Sequence, residues 1–154
     1  MIRELRVPLA WHWIERVRDA VNEVLHDHPS ELRESAVMVA SELAENLVKY
    51  GHPVDGEDSG RIAIELGAHT VSITAENGTT REEAAKVVEL IDTINAASDV
   101  QLLYVQRLTE MAHSPSESAS ELGLLRIVFE GRFRLTCRYA HPMLRIEATR
   151  SADA

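Results

Sequence analysis

The sequence predicts an α/β fold of the α+β kind, a two-layer sandwich with a mostly antiparallel sheet and helices on one face. Three observations carry this expectation. Two pairs of alternating segments, Arg61 to Leu66 with Val71 to Ala75 and Phe133 to Tyr139 with Met143 to Thr149, read as hairpins with one covered face. Helical periodicity fills the stretches before, between and after them. The order of elements runs strand, two helices, hairpin, two helices, short helix, hairpin, and hairpins of this kind pair antiparallel while the helices cover one side.

Ile2 to Pro8 alternates like a short edge strand closed by a proline, which has no N–H for a ladder. From Leu9 to about His26, Ile14, Val17, Val21, Val24 and Leu25 recur at helical spacing until Pro29 ends the pattern. A second helix is expected from about Glu31 to Tyr50, with Ser30 as N-cap, acids in its first turn and Gly51 as its stop. His52 to Gly60 is rich in turn formers and acids and reads as a connecting loop. Gly67 to Thr70 turns the first hairpin.

Capping-box spacing at Thr79 and Glu82, and again at Thr80 and Glu83, opens a helix to about Ala96; Ser98 with Gln101 opens another that ends near His113. Ser114 to Ser120 is small and polar and is expected to be a mobile loop, followed by a short helix from Glu121 to Glu130 that Gly131 stops. No internal repeat is visible.

A length of 154 residues with 45% hydrophobic content supports one domain, 1–154, with one core. The net charge of −9 repels phosphate backbones and anionic lipids, so neither nucleic acid nor a membrane surface is an expected partner. A lone cysteine, Cys137, mid-strand, excludes a disulfide framework and reads as an inert thiol in a reducing compartment. The first residues lack an apolar signal-peptide core, and no apolar stretch approaches the ~20 residues of a membrane span, so a cytoplasmic location is expected. His26, Asp27 and His28 fit no zinc spacing, and Trp11 and Trp13 are expected to pack in a core or a dimer interface. Nucleophile-elbow glycines are absent, which removes support for hydrolase chemistry.

The chemistry-bearing candidates lie on the second helix. Glu42, Asn46 and Lys49 are separated by four and three residues and project from one face, while Ala36, Val39, Ala40, Leu43, Leu47 and Tyr50 form the apolar one. Such a face is either the solvated side of an amphipathic helix or a carboxylate and an amide held one turn apart, a proton acceptor beside an oxygen ligand for Mg²⁺.

The string Ser41-Glu-Leu-Ala-Glu-Asn-Leu-Val-Lys-Tyr50 resembles the asparagine box, Glu-x-x-x-Asn-x-x-His/Lys, of the GHKL ATPase superfamily, and its context is similar to the anti-sigma-factor serine kinases. That resemblance implies a histidine-kinase-ATPase-like fold with ATP and Mg²⁺ as cofactors. It implies Glu42 as the general base, Asn46 as the Mg²⁺ ligand and Lys49 as a phosphate contact. Glu76-Asn77-Gly78-Thr79-Thr80 stands where the family has Asp-x-Gly-x-Gly, with Glu76 in the place of the adenine-binding aspartate, Gly78 retained and Thr80 replacing a glycine. Ser118 to Leu125 stands where the family has its glycine-rich phosphate box and keeps Leu122-Gly123-Leu124, so Gly123 and Leu124 are cofactor-binding candidates; Glu121 adds a negative charge there.

The implied partner is a regulatory protein, either a sulfate-transporter/anti-sigma-antagonist (STAS) protein or a sigma factor, and a homodimer is consistent with the family. Two functions follow from this reading. One is an ATP-dependent serine protein kinase acting as a signalling switch. The other is a protein-binding module on the same fold that acts without nucleotide, favoured by Thr80 and Glu121 at glycine positions.

Overall fold

A computed structural model describes residues 1–56, 59–113 and 115–153. Five strands, β1 (Ile2–Pro8), β2 (Ser59–Leu66), β3 (Thr70–Gly78), β4 (Arg134–Ala140) and β5 (Met143–Ser151), form one sheet in the order β1-β2-β3-β5-β4. Every pairing is antiparallel. Five helices accompany it: α1 (Ile14–Val24), α2 (Ser30–Tyr50), α3 (Arg81–Ala96), α4 (Val100–His113) and α5 (Pro115–Phe129). The α+β sandwich expected from the hairpin pattern is the architecture found, with both hairpins in place and β3 extended to Gly78.

Side-chain alternation gives the sheet two different faces. Ile62, Ile64, Val71, Ile73, Ala75, Leu135, Leu144, Ile146 and Ala148 are buried under the helices, and their intervening neighbours on each strand face the other way. Helix α2 lies on this core and buries Leu32, Ala36, Val39, Ala40, Leu43, Ala44 and Leu47. Buried Ile14, Val17, Val21 and Val24 of α1 complete the layer.

The differences from the sequence reading have local causes. The first helical segment opens as a 3-10 turn over Trp11–Trp13, and Trp13 packs on the core with the Arg16 guanidinium 4.4 Å from its ring, whereas Trp11 is 55% exposed and does not pack. Helix α2 begins at Ser30 itself: the Pro29 carbonyl accepts the first helical bond, from the Arg33 N–H at 3.1 Å, and Pro29 in the capping position has no side-chain oxygen to serve as a cap. Of the two overlapping capping boxes, Thr80 is the cap used, its Oγ accepting from the Glu83 N–H at 3.2 Å. Asp99, not Ser98, caps α4, with the Leu102 N–H donating to its carboxylate at 3.0 Å.

The largest departure is in the segment read as a mobile loop. Ser114 lies outside the described residues, but the backbone is helical from Pro115, six residues before the expected start at Glu121. Proline suits the first turn of a helix, where its missing N–H has no partner to lose. No helix among the described residues is long and apolar enough to cross a membrane.

Candidate functional site

A cavity of about 530 Å³ opens where α2, α3, α4 and α5 meet the sheet at β3 and β5. Asn46 and Tyr50 reach it from α2, Asn77 and Thr79 from the end of β3, and Leu144 and Ile146 from β5. Helix α3 contributes Glu83, Lys86, Val87 and Leu90, while Arg107 and Glu121 with Leu124 come from α4 and α5. Its size suits a small-molecule cofactor, since such pockets run roughly 300–1,000 Å³. Val87, Leu90, Leu124, Leu144 and Ile146 give it apolar lining, and amides and charged side chains supply much of the rest.

Asn46 is half-buried and makes no side-chain hydrogen bond among the described residues, so its carbonyl and amine are both available to a ligand. Asn77 is buried, and its amine donates to the Gly78 carbonyl at 3.0 Å.

Glu42 is one turn from Asn46 but does not line the cavity. Its carboxylate is 15% exposed and accepts from Arg126 Nη1 of α5 at 2.9 Å, while Arg126 Nε donates to Glu130, also at 2.9 Å. The other face of the carboxylate lies against Gly123. A Cβ there would come within 2.5 Å of Glu42 Oε2, so the glycine gives the acid room. Burial raises the Glu42 pKa above its ordinary value, the neighbouring Glu45 charge adds to this, and Arg126 pulls the other way.

The remaining candidates are distributed unevenly. Lys49 is exposed and absent from the cavity lining. Glu76 is half-buried on the open face of the sheet, opposite the cavity, and Asn77 occupies the inward position instead. The strand's own alternation carried that signal: Val71, Ile73 and Ala75 face the core, so the next inward residue is 77. Gly78 is buried because the chain folds over it. The His52 N–H donates to its carbonyl at 2.7 Å, and a Cβ would meet Val54 and the His52 carbonyl.

Gly123 is not part of a phosphate loop. It sits in the interior of α5, and only the first four N–H groups of a helix lack intrahelical partners. Leu124 does reach the cavity, as part of its apolar wall. Glu121 is neutralised by Arg107, at 3.2 Å, which also pairs with Glu110 at 3.1 Å; the Arg107 Nε is buried without a partner. Arg107 and Lys86 have no sequence signal, since a charge on an amphipathic helix carries no mark of which cavity it borders, while Asn77 and Thr79 stand inside the Glu76–Thr80 motif without an expected role.

The cavity thus fits a nucleotide by halves. An apolar wall beside Asn46 and Asn77 suits a planar base and amide-to-base hydrogen bonds. For phosphates, the lining cations are Lys86 and Arg107, the latter already committed to two carboxylates, and the N–H groups expected at Gly123 are taken up in α5.

No family model and no curated protein sequence matches the chain. Among solved structures, it superposes on a chain of the SiaB–SiaC complex from Pseudomonas aeruginosa with a TM-score of 0.74 and 18% identity, over 96% of this chain and 88% of that one. The likeness is one of fold. It extends over almost the whole length, the helices α3 to α5 around the cavity included.

Proposed function

We propose that this protein is a signalling regulator that holds and releases a protein partner, on a fold of the anti-sigma-factor kinase type, with the cavity as the seat of a controlling purine nucleotide. One observation carries the reading: Asn46 and Asn77 open onto an apolar-walled cavity, while Glu42 is withheld beneath Arg126. The groups suited to binding a base face the cavity; the group suited to proton transfer does not. The partner class drawn from the resemblance is a STAS-type regulatory protein, and support comes from the fold's occurrence in a two-protein complex.

Within this reading each residue has a defined task. Asn46 would offer its amide oxygen to Mg²⁺, or hydrogen-bond the base. Asn77 would read the base edge, and Leu124 and Ile146 would cover its face. A nucleotide would supply the negative charge and the bulk that reorganise α4 and α5 through Arg107, which pairs with Glu121 of α5, with Lys86 of α3 as a second cation. Occupancy would then alter the surface these helices present to the partner.

A second reading, the serine protein kinase, is favoured by the placement of Glu42 and Asn46 one helical turn apart. It requires Arg126 to leave Glu42, because a carboxylate paired with a guanidinium is a weaker base. Incubation with radiolabelled Mg-ATP and a purified STAS-domain protein separates the two. The regulator reading expects nucleotide-dependent capture of that protein without serine phosphorylation. Phosphoserine that disappears in Glu42→Gln would establish the kinase instead.

A further inference from the structure

One row of the sheet face turned away from the helices is basic, on a chain whose net charge is negative. The pairing register aligns Arg6 with Arg61, Arg61 with Glu76, Glu76 with Arg145, and Arg145 with Arg138. These five residues form a single row across all five strands. The strands' alternation puts the row on the open face: the adjacent residues Ile62, Ala75, Leu144 and Ile146 are buried on the other side, while Arg6, Arg61, Arg138 and Arg145 are exposed. With strands about 4.8 Å apart, the row is roughly 19 Å long. It carries four guanidinium groups and one carboxylate on a protein of net charge −9.

Folding does not account for this arrangement. Two of its four cross-strand neighbours, Arg6 with Arg61 and Arg138 with Arg145, are like charges directly opposite one another, and such pairs destabilise a sheet. Among the described residues, Arg61 and Arg138 make no side-chain hydrogen bond or ion pair. The row on one side supplies Glu4 and Glu147, the latter 3.7 Å from Arg145, and the row on the other side carries no charged residue, so the basic strip is one residue deep with acids along one border. A polynucleotide, with its unbroken line of phosphates on a protein already strongly negative, matches that border poorly. Carboxylates spaced along a protein segment match it well. A second copy meeting the row face on would set arginines against arginines.

We propose that this row is a docking strip for an acidic segment of a partner protein. Arg61, Arg145 and Arg138 supply the charge-assisted hydrogen bonds, and Glu76 at the centre moderates affinity and sets register. The strip lies at the end of the sheet where β3 leads into Asn77, on the face away from the cavity, so its occupant does not compete with a cavity ligand for space.

Fluorescence anisotropy with a short fluorescein-labelled polyglutamate peptide at low ionic strength tests the assignment on the full chain. Wild type binds the peptide in a salt-sensitive manner, and Arg61→Ser with Arg138→Ser weakens binding by roughly tenfold or more. Arg16→Ser with Arg132→Ser makes the same charge change elsewhere and leaves most of the affinity. Glu76→Gln tightens binding, a gain that a misfolded variant would not give. Equal affinity for the two double variants would overturn the proposal, as would tighter binding of a single-stranded oligonucleotide of matching charge. Self-association of wild type that the Arg61/Arg138 substitutions abolish would make the strip a contact between copies and also refute it.

Discussion

Helices α2 and α4 both border the cavity, and they are held in opposite ways. Eight residues of α2 are buried, and the helix rests directly on the sheet. Helix α4 buries none, packs chiefly on α5, and leaves Leu102, Val105 and Leu108 exposed. Asn46 is therefore fixed by the core, whereas Arg107 is fixed by a helix whose own attachment is shallow. Local opening free energies follow buried contact, so the cavity has one rigid wall and one that yields first. A site built this way can admit a ligand by moving α4 without disturbing the amides on α2 and β3.

Substitutions along the two helices should separate these roles. Leu43→Ala, at a residue 1% exposed, is expected to cost about 2 to 5 kcal/mol in urea unfolding through lost burial and the cavity left behind. Thr80→Ala at the cap of α3, between the two regimes, should cost about 1 kcal/mol by removing the acceptor for the Glu83 N–H. Leu102→Ser on α4 is expected to change global stability by less than about 0.5 kcal/mol, and amide exchange should show α4 exchanging well before α2. Equal protection of the two helices would contradict the comparison.

Glu42 adds a pH test of the rigid wall. Its folded pKa lies above its ordinary value of 4.5, so between those two values the folded state binds more protons than the unfolded one. Stability from this group is thus greatest at low pH and falls as pH rises through the folded value. Glu42→Gln should flatten that decline above pH 4.5, measured as the difference in thermal unfolding between the two proteins across pH. A variant that lost stability more steeply at neutral pH than wild type would show that the Arg126 pair outweighs burial.

How much of this was legible in the sequence depended on whether a feature is local. Strand alternation and the apolar face of α2 are written in residue spacing, so both hairpins, the α2 core residues Ala36, Val39, Ala40, Leu43 and Leu47, and the proximity of Glu42 to Asn46 followed from it, whereas Tyr50, expected on the apolar face, lines the cavity one turn beyond Asn46. Glu76 lies on the face away from the cavity because motif alignment and strand alternation disagree there by one residue, and one residue reverses the face. Gly123 misled for a different reason. Glycine next to leucine is shared by phosphate loops and by helices that need close approach, and only the tertiary position of Glu42 shows which applies. The pairing of Glu121 with Arg107, like that of Glu42 with Arg126, joins residues on different helices and has no counterpart in local spacing.

We propose that the cavity is competent to bind nucleotide while Glu42 is held shut beneath Arg126. Isothermal titration with Mg-ATP and Mg-ADP, on wild type, Asn46→Ala and Arg126→Ala, addresses it most directly when each sample is also assayed for phosphate release. Wild type is expected to give a measurable heat and no turnover, and Asn46→Ala to lose the heat. Arg126→Ala, with Glu42 released, would retain binding. Wild type that gives no heat at millimolar nucleotide, or that hydrolyses ATP with Glu42 still paired, would contradict it.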